Sequence, residues 1–203
     1  TEARLCAAFG VSRPLVREAL RLLEQERLVV TKHGLGRYVT AAAGLNIARP
    51  ITAFESISHM LKALGHAATT RVLSMRVVQA GSDPHSATAL ELPPEADILV
   101  LERFREVDGK VLVYSIDVLP LALIGAAPAQ GLIENSVNEL LAAAGHRPVM
   151  SRANIAAAFL PEGVLEATAQ AEPWLLVTET CLSEAGTPVL SARDYHRGSE
   201  ISF

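Results

Sequence analysis

FGVSRPLVREALRLLEQERLVVTKHGLGRYVT, Phe9 to Thr40, holds the pattern from which the rest of the chain is read. Within it Val16, Ala19, Leu20 and Leu23 recur at i, i+3, i+4 and i+7, the spacing of one apolar helix face. That predicts a helix from Arg13 to about Glu26. Ser12 suits its N-cap, because a short hydroxyl side chain can accept from a free N–H of the first turn. Gly10 suits a tight turn, since it tolerates positive φ. Upstream, Glu2 to Phe9 reads as a short helix with Leu5, Ala8 and Phe9 on one face. Downstream, Leu28–Thr31 and Arg37–Thr40 are β-rich runs, joined by Lys32-His33-Gly34-Leu35-Gly36 as a hairpin tip.

Helix, tight turn, helix and β-hairpin make a winged helix-turn-helix arrangement. Arg13, Arg17 and Arg21 line one face of the second helix at i, i+4 and i+8, opposite its apolar stripe. The start of that helix adds free N–H groups and a positive dipole end, both suited to phosphate. Ser12 and Arg13 stand where a recognition helix enters a major groove, and an arginine can bond guanine O6 and N7 together. The plain alternative is a solvated basic face. The charge balance favours a polyanion at this end only. Residues 1–40 carry seven basic and four acidic side chains, whereas residues 41–203 carry 11 and 18, giving the net −4 of the chain.

The local sequence closely resembles the DNA-binding domain of the GntR family of bacterial transcription regulators. The resemblance rests on Gly10-Val11-Ser12-Arg13, Val16-Arg17-Glu18-Ala19-Leu20, Leu22-Leu23-Glu24 and the wing glycines Gly34 and Gly36. It implies that Ser12, Arg13, Arg17, His33 and Gly34 contact DNA; Pro14 and Leu15, at positions where small hydroxyl residues or Pro often occur, are counted as DNA-binding with them, without a base preference. Ala3 departs from the arginine common in the family after the residue aligned with Glu2. The family's first helix is not in this chain, so apolar surface is expected on the head. The chain starts at Thr1 rather than at a methionine, and earlier residues are expected.

Beyond the head, residues 41–50 (AAAGLNIARP) lack periodicity and read as a linker, leaving 51–203 as a second domain. Phe54 to Leu64 reads as a helix stopped by Gly65. Strand-like runs follow at Thr70–Gln79, Ile98–Val107, Lys110–Leu119, Val149–Phe159, Trp174–Ser183 and Val189–Arg197. Short helices interleave at about His85–Leu90, Val137–Ala144 and Glu162–Ala169. Asp108-Gly109 predicts a tight hairpin with both residues at positive φ. Ser136 and Glu139 have capping-box spacing, and Gly145 suits a left-handed helix end. The pattern argues α+β with an antiparallel sheet.

Composition narrows the function classes. Half the chain is hydrophobic, which excludes disorder. The longest uncharged run, Val118 to Ile133, is broken by two prolines and two glycines and is too short to span a bilayer. No signal peptide is visible. Cys6 and Cys181 form no CxxC, so a disulfide framework and a structural zinc site are not expected. His66 and His146, each after a glycine at a helix end, read as dipole-stabilised rather than metal-binding. Cys181 and Trp174 read as core.

The second domain resembles the UTRA effector module of the HutC-like branch, with a chorismate lyase-like α+β fold. The resemblance rests on Leu101-Glu102-Arg103-Phe104-Arg105, Leu119-Pro120, Ser136 to Gly145, Gly186-Thr187-Pro188-Val189 and Asp194-Tyr195-His196-Arg197-Gly198. Arg103 and Arg105 share one strand face and repel unless a carboxylate or another anion lies near. The choice is between satisfaction by Glu102, Glu106 or solvent, and an effector pocket for an anion such as a phosphosugar or organic acid. In sugar-phosphate-sensing relatives, arginines at these positions hold the ligand, while Ser115 and Leu190 stand where those relatives carry acidic residues. Asp117, Tyr195 and Arg197 are further candidate liners.

The reading is a cytoplasmic, one-component, ligand-responsive repressor that binds operator DNA as a homodimer and a small anionic effector, without cofactor, metal or membrane. The alternatives are an enzyme on the same fold type, for which no acid/base constellation is visible, and a DNA-binding protein whose second domain only dimerises.

Overall fold

The computed structural model describes residues 1–25, 28–32, 36–39, 47–48, 56–63, 65–127, 136–164 and 172–203. Two compact units divide it, Thr1–Asn46 and Ile47–Phe203.

In the first unit, α1 (Glu2–Phe9) ends at Gly10, whose φ of 65° closes the helix in the left-handed region. Next comes α2 (Arg13–Gln25), and the Ser12 carbonyl accepts its first hydrogen bond, from the Val16 N–H at 3.1 Å. β1 (Val29–Lys32) and β2 (Gly36–Val39) pair antiparallel, with Lys32 opposite Gly36. This is the expected order of elements. The packing is thinner than the periodicity predicts: Val16 is buried and Leu20 half-buried, but Ala19 and Leu23 are exposed. In α1, Leu5 and Cys6 are half-buried, while Ala8 and Phe9 of the expected apolar face lie open. The expected hairpin tip at His33 to Leu35 lies outside the described residues.

The second unit is built on a six-stranded antiparallel sheet in the order β4-β5-β6-β9-β8-β7. The strands are β4 (Thr69–Gln79), β5 (Asp97–Val107), β6 (Lys110–Pro120), β7 (Pro148–Ala158), β8 (Trp174–Ser183) and β9 (Pro188–Arg197). β5 and β6 are buried almost throughout because both sheet faces are covered. Asp108 and Gly109 join them at φ 51° and 75°, as the turn chemistry requires. Ile47 and Ala48, inside the stretch read as linker, form β3 and pair parallel with β10 (Ile201–Ser202).

On one sheet face, Leu99, Leu101, Leu119, Cys181 and Leu190 pack against Val137 and Leu141 of α6 (Val137–Ala143). On the other, Ile98, Val100 and Val118 pack under α4 (Pro84–Ala89), and Phe104, Tyr114 and Trp174 pack with Leu160. The expected helix at 54–64 is α3 (Ile57–Ala63); Phe54 and Leu64 lie outside the described residues. α5 (Leu121–Ile124) is one further turn. Of the helix expected at 162–169, residues 162–164 form a turn and the rest lies outside the described residues. The capping box does not form. Ser136 stands at the N-cap of α6 but its side chain makes no capping hydrogen bond, and Glu139 is exposed.

Candidate functional site

A cavity of about 50 Å³ lies between the sheet and the starts of α3 and α6. Side chains two apart on a strand share a face, so Leu101, Arg103 and Arg105 of β5 all face the α6 side. β6 brings Ser115 opposite Arg103, and Asp117 one diagonal step away. β9 brings Asp194 opposite Ser115. Arg103, Arg105, Asp117, Asp194 and, from β8, Glu179 line the cavity, closed by Ser56, Ser136 and Asn138 at the helix starts.

The arginines have different partners. Arg103, fully buried, puts Nη2 2.5 Å from Asp117 Oδ2. Arg105, also buried, donates from Nη1 to Ser115 Oγ at 3.1 Å and from Nε to Ser58 Oγ of α3 at 3.3 Å. Among the described residues no carboxylate reaches ion-pairing distance of Arg105. Its pKa is pushed down to about 10, first by burial and then by the neighbouring Arg103 charge, against the more distant pull of Asp117 and Asp194. Ser115 then donates to Asp194 Oδ1 at 2.5 Å. Glu102 and Glu106, candidates to satisfy the arginines, do not do so. They face the opposite side of β5, where Glu102 pairs with Arg76 at 2.5 Å and Glu106 with Arg71 at 2.9 Å.

Tyr195 and Arg197 are not brought to the cavity. They have the opposite strand parity from Asp194. Tyr195 packs on Tyr114 with ring centroids 5.8 Å apart, and the Arg197 guanidinium lies 5.0 Å from the buried Trp174 ring. Asp194, Glu179, Ser136, Asn138, Ser56 and Ser58 are the lining or contacting residues that sequence reasoning missed. The sequence signal at Ser136 pointed to a helix cap, and only the structure shows its side chain lining the cavity without a capping bond. Through Ser56, Ser136 and Asn138 the cavity adjoins an outer cleft of about 370 Å³, lined also by His59 and Arg147.

In the first unit, Ser12, Arg13, Pro14, Leu15 and Arg17 are all exposed at and after the start of α2. His33 and Gly34 lie outside the described residues. Arg17 Nε donates to Glu2 Oε2 at 3.0 Å and Arg37 Nη1 to Glu2 Oε1 at 2.9 Å, so one carboxylate ties helix α1 to α2 and to the hairpin. The Arg37 and Arg17 hydrogen bonds hold the Glu2 carboxyl below its usual range.

A helix-turn-helix with a β-hairpin, followed by an antiparallel-sheet unit with a polar cavity, defines the class as a bacterial regulatory protein of the GntR type. Residues 63–202 match the UTRA domain family and residues 1–39 match the bacterial regulatory proteins of the gntR family. The chain belongs to the UTRA domain family, with a gntR-type head. It is 29% identical over 123 residues to the HTH-type transcriptional regulator YurK of Bacillus subtilis, which covers 61% of this chain and 49% of that relative. The match thus takes in about half the relative's length. Among solved structures, PhnF from Mycobacterium smegmatis has a TM-score of 0.76 at 23% identity, over 100% of this chain and 88% of that one. A GntR-family transcriptional regulator from Enterococcus faecalis V583 has a TM-score of 0.59 at 26% identity, over 66% and 96%. YurK and the Enterococcus faecalis protein are transcriptional regulators by name.

Proposed function

We propose that this chain is a cytoplasmic, ligand-responsive transcription repressor. Residues 1–40 read operator DNA, the connection ends before Ile47, and the unit Ile47–Phe203 binds effector and dimerises. Each short recognition helix reaches only a few base pairs, so two heads on a roughly palindromic operator supply the specificity. Ser12, Arg13 and Arg17, flanked by Pro14 and Leu15, meet the groove and backbone, with His33 and Gly34 as the wing. A small anionic effector binds at Arg103 and Arg105 and shifts the population away from the DNA-binding geometry.

The observation that carries the effector reading is Arg105. It is a buried guanidinium held by two neutral serine hydroxyls and lining a cavity. Lowering the guanidinium from its ordinary value to about 10 corresponds to a cost of the order of 3 kcal/mol for keeping it charged there. An anion placed against it offsets that cost, which is up to about a hundredfold in affinity. Ser115 and Asp117 hold the two arginines in place. The cavity alone is far below the roughly 300–1,000 Å³ of ligand pockets; the adjoining cleft brings the space into that range.

The test uses a selected operator and a panel of small carboxylates and phosphate monoesters. An effector should raise Tm and release DNA by linkage. Arg105→Ala should abolish both responses while operator affinity stays within about twofold of the parent. DNA release that persists in Arg105→Ala would overturn the assignment. A second reading, a body that only dimerises, is favoured by the small cavity and by the internal Arg103–Asp117 pair. It gains if no member of the panel shifts Tm.

A further inference from the structure

The first turn of α2 differs in chemistry from the turns that follow. Arg13, Pro14 and Leu15 are all exposed, Leu15 by 56%. Pro14 has no backbone N–H to offer a phosphate, so this turn presents one cation and two apolar side chains. The packed side of α2 is marked by Val16, buried, and Leu20, half-buried. With 3.6 residues per turn, Leu15 stands about 100° from Val16 and about 140° from Leu20, turned away from that side. It is also nearly opposite Arg17, which is held by Glu2 of α1. Leu15 thus projects from the flank away from that ion pair, within the cationic surface made by Arg13, Arg17 and Arg21.

Residues 1–39 match the gntR family of regulatory proteins, and a recognition helix lays its N-terminal residues against base edges in the major groove. Those edges present hydrogen-bond donors and acceptors, and one methyl group, on C5 of thymine. A leucine has no hydrogen bond to give. Against a guanine or adenine edge, or a phosphate, it would cover polar atoms and leave them without a partner. Against the thymine methyl it buries apolar surface on both sides of the contact. Leu22, also exposed, lies two turns further along the same side of the helix, beyond the turn that enters the groove.

We infer that Leu15 is a specificity-determining residue that reads one thymine per half-site through its 5-methyl group. This rests on the reading of residues 1–40 as the operator-binding head. The test uses the full chain, a selected operator, and copies of it in which each thymine in turn is replaced by uracil, which pairs identically and lacks only the methyl. Uracil at one thymine per half-site should weaken binding by the parent about fourfold, the contribution of one buried methyl group. Leu15→Ala should bind the thymine operator at least as weakly as the parent binds the uracil copy, and lose less than about 1.5-fold more on that copy, because protein and DNA then lack the two sides of one contact. Leu22→Ala should keep the full uracil effect. Leu15→Ala should keep the parent's Tm, since the side chain it trims is exposed. No uracil position that weakens the parent, or an equal loss in the parent and in Leu15→Ala, would overturn the inference and keep the operator-binding reading. A uracil effect abolished by Leu22→Ala instead would place a different turn at the methyl and also overturn it. So would a Leu15→Ala chain that melts earlier and binds no DNA, because Leu15 would then hold the head together. A parent chain that binds no operator more tightly than scrambled DNA would bring down both readings.

Discussion

The Ser115 hydroxyl donates to the Asp194 carboxylate at 2.5 Å, across directly facing positions of β6 and β9, while accepting from Arg105 at 3.1 Å. One buried hydroxyl thus separates a cation from an anion and bonds to both. Ser115→Ala leaves Arg105 short of an acceptor and Asp194 short of a donor, and both side chains are buried. Unmade buried hydrogen bonds of this kind cost about 1–3 kcal/mol. Urea unfolding of the full chain should show a loss in that range with an unchanged m-value. A loss below about 0.5 kcal/mol would mean that water or a rearranged side chain takes over the bonds.

Arg103 and Asp117 answer a different question, because both are buried and paired. Asp117→Asn removes the charge of the carboxylate that lies 2.5 Å from a fully buried guanidinium. Breaking one side of such a pair typically costs about 3–5 kcal/mol, whereas replacing both members by apolar residues of similar volume is often near neutral. Asp117→Asn should lower Tm sharply, and Arg103→Met with Asp117→Leu should recover most of the loss. If the double variant is as unstable as the single one, the pair contributes through packing rather than charge.

These two relays mark the boundary of what the sequence makes legible. Asp108-Gly109 and Gly10 are local: the residue type dictates the turn, and the strands and helices around them follow. Arg103, Arg105, Ser115 and Asp117 were also within reach, because a hairpin fixes the register of its two strands. Asp194 was not. Its place in the site depends on β6 pairing with β9, a contact between residues 79 positions apart, and no local pattern specifies that. The same motif offered Tyr195 and Arg197 as polar candidates, and strand parity sends them to the other face. Ser136 shows a conflict of another kind. Its spacing from Glu139 satisfies the capping-box rule, yet the hydroxyl lines the cavity instead of the helix end.

Acid should destabilise the second unit through Asp83 and Glu102. Burial pushes the Asp83 carboxyl up, but the Ser86 backbone N–H and Arg193, 2.8 Å away, together outweigh it and leave it below the usual range. At Glu102 burial likewise acts upward and is outweighed by Arg76 and the Tyr114 hydroxyl. The folded state of each therefore binds a proton less readily than the unfolded state. The stabilisation is complete above the ordinary carboxylate values of 3.8 and 4.5, and is lost as pH falls through the lower folded values. Tm should be flat from pH 7 to about 5 and fall below that. Asp83→Asn with Glu102→Gln should start lower at pH 7 and lose less on acidification. A parallel curve would place the acid sensitivity in other carboxylates.

The head offers the sharpest separation of roles, because Arg13 and Arg17 lie one turn apart on the same exposed face of α2. In the proposed reading Arg13, exposed at the start of the helix, meets a guanine edge. Arg17 leans towards Glu2 and Arg37, at the side where a phosphate would replace the Glu2 carboxylate. Arg13→Ala should cost about 1–3 kcal/mol on the best operator and relax the preference at one base pair per half-site. Arg17→Ala should weaken all sequences alike and lower the salt slope by about one per head. Glu2→Gln removes a negative charge beside the expected phosphate path, so it should tighten non-specific binding a few fold at low salt, an effect that fades as salt screens it. Binding to a selected operator and to scrambled DNA, titrated over a range of salt concentrations, reads all three variants together. If Arg13→Ala leaves base preference intact while Arg17→Ala relaxes it, the roles of the two arginines are exchanged and α2 sits one turn deeper in the groove.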